Sequence, residues 1–164
     1  MKIMNKVLSI CAAGLLAGMT ALPVHAAAFK ALDRAAARQL LDAAHYAQPT
    51  VVALWSSDCT HCKKNLRVLS ELVQRHKQVR VITVAVEPET AVLAPILDRN
   101  HMPAERYAYG SENPDAIAYA IDPKWAGELP RTYLFNGTGG KEAVSGEITM
   151  ESLDRALNLH RRSN

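Results

Sequence analysis

The stretch Val51-Val52-Ala53-Leu54-Trp55-Ser56-Ser57-Asp58-Cys59-Thr60-His61-Cys62 decides how this chain folds. Its first five residues form an unbroken apolar run, the pattern of a strand buried on both faces. Ser57 and Asp58 are candidate helix caps, and Leu66, Leu69, Leu72 and Val73 then recur on one face of a helix. That helix closes on Arg75-His76-Lys77, cations suited to the negative end of the helix dipole. Val79 to Val86, rich in β-branched residues, follows as a second buried strand. A strand–helix–strand unit therefore carries Cys59 and Cys62 where its helix begins.

That placement has chemical consequences. A thiol at a helix N-terminus meets free backbone N–H groups and the positive end of the dipole, so its pKa falls and it ionises near neutral pH. Cys59 is the expected nucleophile, and Cys62, one turn further on, the resolving thiol that closes a redox disulfide with it. An imidazolium at His61 would stabilise the thiolate further and make the disulfide more oxidising; a carboxylate at Asp58 opposes this. The balance between the two is open, as is the plainer reading of an exposed His61 and a helix-capping Asp58. One Cys-x-x-Cys is half of a usual structural zinc site, and no second Cys or His pair stands at ligand spacing, so no metal is expected there. No organic cofactor is expected either, because the electrons reside on the two sulfurs.

Toward the N-terminus, residues 1–26 read as a secretory signal peptide. Lys2 and Lys6 give the positive start, Val7 to Leu22 the apolar run, and Val24-His25-Ala26 a small residue at the cleavage position. The apolar run is short for an anchor, which needs about 18 apolar residues or more. Ile10 before Cys11 argues against a lipidation site. Cleavage near Ala26 removes Cys11 and leaves two cysteines for an oxidising, extracytoplasmic compartment. It also removes two of the three net positive charges of the 164-residue chain, so no nucleic-acid partner is expected, and a membrane only if the leader stays attached. With 49% hydrophobic and 21% charged residues, the composition excludes disorder and a coiled coil.

Residues 27–49 are expected to be a lead-in, with a helix over 30–46 marked by Leu32, Ala36, Leu40 and Ala43. Toward the C-terminus, residues 89–100 read as a helix that Pro95 bends or splits. A stretch punctuated by Pro114, Pro123 and Pro130 holds a short helix around 115–121. Thr132–Phe135 and 142–146 are strands joined by a hairpin turn at Asn136–Gly140, and a helix over 150–160 is capped by Thr149. The glycine turn lacks phosphate-loop spacing. The order means an α/β fold with a mixed sheet and helices on both faces. Glu87 and Glu89, just past the second strand, are candidate proton-transfer carboxylates or solvated turn residues. Trp125 and Tyr133 are rim or core.

Strand, Cys-x-x-Cys, helix and strand, followed by Leu129-Pro130-Arg131-Thr132 at the start of a hairpin strand, resembles the thioredoxin superfamily. The leader and the 68-residue interval from Cys62 to Pro130 make the chain similar to the TlpA/ResA-type periplasmic thiol–disulfide oxidoreductases over residues 50–160. The resemblance implies a thioredoxin-like three-layer fold with a short insertion before the hairpin. It implies that Pro130 is cis and packs against the disulfide, and that Leu129 pairs with bound substrate; Trp55 and Asp58 complete the expected substrate surface. It further implies client proteins with thiols or disulfides and a membrane electron-transfer partner, usually in the direction of client reduction. Four positions depart from the family. Asp58 replaces the usual Trp, Ala53 stands where thioredoxins carry a buried Asp, and Thr60-His61 is nearer to the pairs of oxidases and isomerases. The direction of electron flow therefore stays open. A thiol isomerase would usually require a further dimerisation domain. The alternative of another class is a copper-binding chaperone using Cys59 and Cys62, with His101 or His61 as an optional further ligand, since thiolates suit Cu(I).

Overall fold

A computed structural model describes residues 29–159, so the expected leader lies outside the described residues. Six strands and five helices follow in the order β1 (Lys30–Leu32), α1 (Arg34–Leu40), β2 (Thr50–Trp55), α2 (Thr60–Arg75), β3 (Arg80–Pro88), α3 (Leu93–Arg99), β4 (Arg106–Tyr109), α4 (Pro114–Ile121), β5 (Arg131–Phe135), β6 (Lys141–Ser145) and α5 (Met150–Ala156). The strands form one mixed sheet in the order β1-β4-β3-β2-β5-β6. β2 lies at its centre, parallel to β3 and antiparallel to β5.

The apolar run of β2 is buried along its whole length because it has a core on each side. Val51, Ala53 and Trp55 join Leu66, Leu69 and Leu72 of α2, Leu93 and Leu97 of α3, and Leu153 of α5. The alternate residues Val52 and Leu54 join Ala37 and Leu40 of α1, Ile117 and Ile121 of α4, and Tyr133. The period-2 alternation of a strand thus divides one run between two layers of helix, which is the expected three-layer arrangement.

Several elements differ from expectation. The helix expected over 30–46 is instead β1, the shorter α1 and a 3-10 turn at Ala43–His45. Asp33 ends the strand and caps α1 by accepting from the Ala36 N–H at 2.7 Å. Lys30–Leu32 pairs in parallel with β4, so the lead-in supplies an edge of the main sheet. Strand β4 was not expected at all. Pro95 neither bends nor splits α3, because the helix begins at Leu93 and places the proline in its first turn, where no intrahelical donor is required. α5 stops at Ala156, four residues earlier than expected, and Asn158 adopts a left-handed conformation (φ 55°) just beyond it. The cap at Thr149 is present as a capping box with Ser152.

Candidate active site

The site assembles where β2 ends. The cap of α2 is Cys59 itself, in place of the expected Ser57 or Asp58, and its Sγ accepts from the backbone N–H of Cys62 at 3.1 Å. The two cysteines form a disulfide with their Cα atoms 5.2 Å apart. They are unequal: Cys59 is half-buried at the rim, whereas Cys62 is 1% exposed and part of the core beneath α2. Only one sulfur is open to a partner.

The register of β2 against β5 sets Leu54 opposite Arg131, so Pro130 enters β5 beside the end of β2 from which the cysteine loop departs. The Leu129–Pro130 peptide bond is cis. Leu129 is half-buried and packs against both cores. Trp55 requires a correction as a substrate-surface residue: at 1% exposure it is core, because the double burial that makes β2 a central strand extends through its last residue. Tyr133 is core as well. Its burial pushes the phenol up to about 12, which keeps it neutral at ordinary pH. Trp125 is nearly buried and donates its indole N–H to the Glu128 carbonyl at 2.8 Å.

Asp58 is exposed, and the Ser56 hydroxyl donates to its carboxylate at 2.6 Å, which with backbone donation holds the carboxyl below its ordinary range. It therefore remains an anion beside Cys59. Glu87 is neither a solvated turn residue nor directed at a sulfur. A register shift in β3 between Ala85 and Pro88 brings its carboxylate to Ser57, where it accepts from the backbone N–H and, at 3.1 Å, from the hydroxyl. Glu87 thus anchors the loop leading to Cys59. Ala53, the position expected to lack a family carboxylate, lies between Thr83 and Thr132 on the neighbouring strands. Among the described residues neither hydroxyl has a hydrogen-bond partner.

Three further residues belong to the site, Asn65, Gly146 and Glu147, and no motif in the sequence points to them. Asn65 is 3% exposed on α2, one turn beyond Cys62. Its amide donates to the Gly146 carbonyl at 3.0 Å, and its oxygen accepts from the Ile148 N–H at 3.1 Å. Gly146 in turn donates its N–H to the Pro130 carbonyl at 2.9 Å. Gly146 has φ 90°, a conformation that only glycine adopts without strain, so the segment turns here between the proline and the helix. Glu147, on the same segment, stands 2.6 Å from His61 Nδ1 and 2.7 Å from Lys64 Nζ. Lys64 first, then His61, holds the Glu147 carboxyl below the usual carboxylate range.

This clamp resolves how His61 is placed: its imidazole is directed at a carboxylate, so any positive charge it carries is partly offset before it acts on Cys59. Replacing Glu147 by Gln removes that offset and leaves the charge of Lys64, and any that His61 carries, to stabilise a Cys59 thiolate. The disulfide is then expected to become more oxidising, by a small amount because all three side chains are exposed and screened. Equilibration of wild type and variant against one glutathione buffer measures the shift. An unchanged or more reducing potential contradicts the assignment.

Among the described residues, no group of three or more His, Cys, Asp or Glu side chains stands close enough to hold a metal ion. No helix among them is long and apolar enough to cross a membrane.

Sheet order, a disulfide across the start of α2 and a cis proline beside it define a thioredoxin-like α/β fold. Solved structures share it. A DsbF homologue from Corynebacterium diphtheriae matches with a TM-score of 0.58 at 16% identity, covering 71% of this chain and 74% of that one. A thioredoxin-related protein from Neisseria meningitidis serogroup B matches at 0.54 and 20% identity, over 71% of this chain and 87% of that one. A secreted disulfide oxidoreductase of Mycobacterium tuberculosis, homologous to E. coli DsbE, matches at 0.51 and 16% identity, over 71% and 82%. At these identities the likeness is one of fold. No protein-family model and no curated protein matches the sequence.

Proposed function

We propose that the protein is an exported thiol–disulfide oxidoreductase that reduces disulfides of client proteins, with Cys59 as nucleophile and Cys62 as resolving thiol. The observation that carries this reading is the unequal burial of the two sulfurs at a helix N-terminus, one at the rim and one in the core. In the reduced protein, the Cys59 thiolate attacks one sulfur of a client disulfide. A mixed disulfide forms and the other client sulfur leaves as a thiolate. Cys62, after losing its proton, then attacks Cys59 Sγ, the second client sulfur leaves, and the protein disulfide closes. Two electrons pass to the client, whose thiolates take up two protons. Leu129, half-buried beside Pro130, is the residue against which the client backbone would lie.

The positive start, apolar run and Ala26 of residues 1–26 support export to the periplasm. An oxidised product in that compartment requires an electron donor, and a membrane partner of matching dithiol chemistry fills the role.

Equilibration of the Cys59–Cys62 pair with glutathione and dithiothreitol tests the direction. A potential near about −270 mV, together with catalysed insulin reduction, is the expected result. A potential near about −120 mV reverses the direction to client oxidation. If the reduced pair cannot be reoxidised to the intramolecular bond, the reading fails.

A further inference from the structure

Beside the active site, α2 and the end of α3 enclose a cleft of about 310 Å³ lined by Lys63, Arg67, Ile96, Arg99 and Asn100. Ile96 is nearly buried, while the two arginines are exposed. Lys63 follows Cys62 directly in α2, so this lining residue stands next to the disulfide in the chain.

The charges of this cleft are unbalanced. Several cations elsewhere among the described residues are matched, Arg34 with Glu112, Lys64 with Glu147, Arg80 with Glu105 and Arg106 with Asp98, while others such as Arg38, Lys77 and Lys124 are not; the cleft differs in gathering three cations at one place. Among the described residues, Lys63, Arg67 and Arg99 form no ion pair. Lys63 and Arg67 stand at i and i+4 on one helix, a like-charge arrangement that disfavours the helix. The Arg67 side chain bends back toward this cation and donates from Nε to the Lys63 carbonyl at 3.4 Å. Lys63 attracts the Asp58 carboxylate without pairing with it, which leaves Arg67 and Arg99 to meet an anion supplied from outside.

Position says what carries it. Whatever reaches Cys59 lies within a side chain's length of Lys63, and the cleft leads away along α2. We infer that the cleft between α2 and α3 docks carboxylate side chains of an acidic protein segment next to the reactive cysteine of the client or redox partner. The inference rests on the oxidoreductase reading for its partner. The chain has little net charge, so the steering is local.

The test compares two cystine peptides, alike except that Glu or Gln flanks the disulfide. Peptide binding is measured by fluorescence anisotropy with the disulfide-form protein, and exchange by kcat/KM with the reduced protein. At low ionic strength the acidic peptide is expected to react and bind about tenfold better, and the preference to vanish near about 1 M salt. Arg67→Glu with Arg99→Glu is expected to abolish the preference while leaving exchange with hydroxyethyl disulfide unchanged; Arg67→Gln with Arg99→Gln gives a milder loss in the same direction. Equal binding and equal rates for the two peptides overturn the cleft assignment while the redox reading stands. Binding of the acidic peptide that depends on Arg67 and Arg99, without exchange on any disulfide, upholds the cleft and overturns the redox reading. Capture by phosphatidylglycerol vesicles through the same arginines, with no peptide preference, assigns the cleft to a membrane and overturns the inference.

Discussion

Replacing Cys62 by Ala is expected to stop the reaction at its halfway point. Cys59 still attacks a client disulfide, but no neighbouring thiol releases it, so the variant accumulates as a mixed disulfide that survives a non-reducing gel. Turnover of insulin falls to the uncatalysed rate. Cys59→Ala also falls to that rate and traps nothing, because the remaining sulfur is buried in the core beneath α2. The contrast between the variants is the informative quantity, since loss of activity alone follows from removing either thiol. Equal trapping by both would mean that the burial of Cys62 does not govern which sulfur meets the client. Both replacements are small and apolar, and the oxidised reference loses only a short loop closure, so the fold is expected to survive.

The second large effect is at Asn65. Its two amide hydrogen bonds satisfy the Gly146 carbonyl and the Ile148 N–H, and both reach a segment remote in sequence. Asn65→Leu keeps most of the volume but leaves those backbone groups without partners, at a cost of about 3 kcal/mol. Chemical denaturation measures this as a lowered midpoint. A variant as stable as the wild type would show that packing, rather than hydrogen bonding, holds the segment. The functional readout moves with it. Glu147 is displaced from His61 and Lys64, so the potential shifts in the direction expected for Glu147→Gln.

These two residues mark the border of what was legible in the sequence. The β2–α2–β3 unit, the redox pair, the hairpin and its proline were all readable, because each is encoded by contiguous periodicity or a short spacing. β1 and β4 were not. Lys30–Leu32 is too short to show a period, and Arg106–Tyr109 places a buried Arg where an apolar residue would announce a strand; that Arg is neutralised by Asp98 at 2.8 Å. The partners of His61, Ser57 and Asn65 lie 30 to 86 positions away, and no local pattern encodes such contacts. Asn65 alone left a trace: it interrupts the apolar stripe formed by Cys62, Leu66, Leu69 and Leu72. A polar residue inside a buried helix face signals a hydrogen-bonded anchor. Trp55 carries two readings in the sequence, the last residue of a strand buried on both faces and a substrate contact beside the motif, and its 1% exposure agrees with the first.

The Gly146 junction also has a consequence for biosynthesis. Its N–H is bonded to Pro130 and its carbonyl to Asn65, 81 positions earlier in the chain. A polypeptide emerging N-terminus first therefore presents its two cysteines long before the residues that frame them have been made. During that interval the pair is chemically present but unsupervised, open to whatever oxidant or thiol the compartment holds. Only when the last quarter of the chain arrives does the site gain Pro130, Gly146 and Glu147, so its completion is a late event in the life of the molecule.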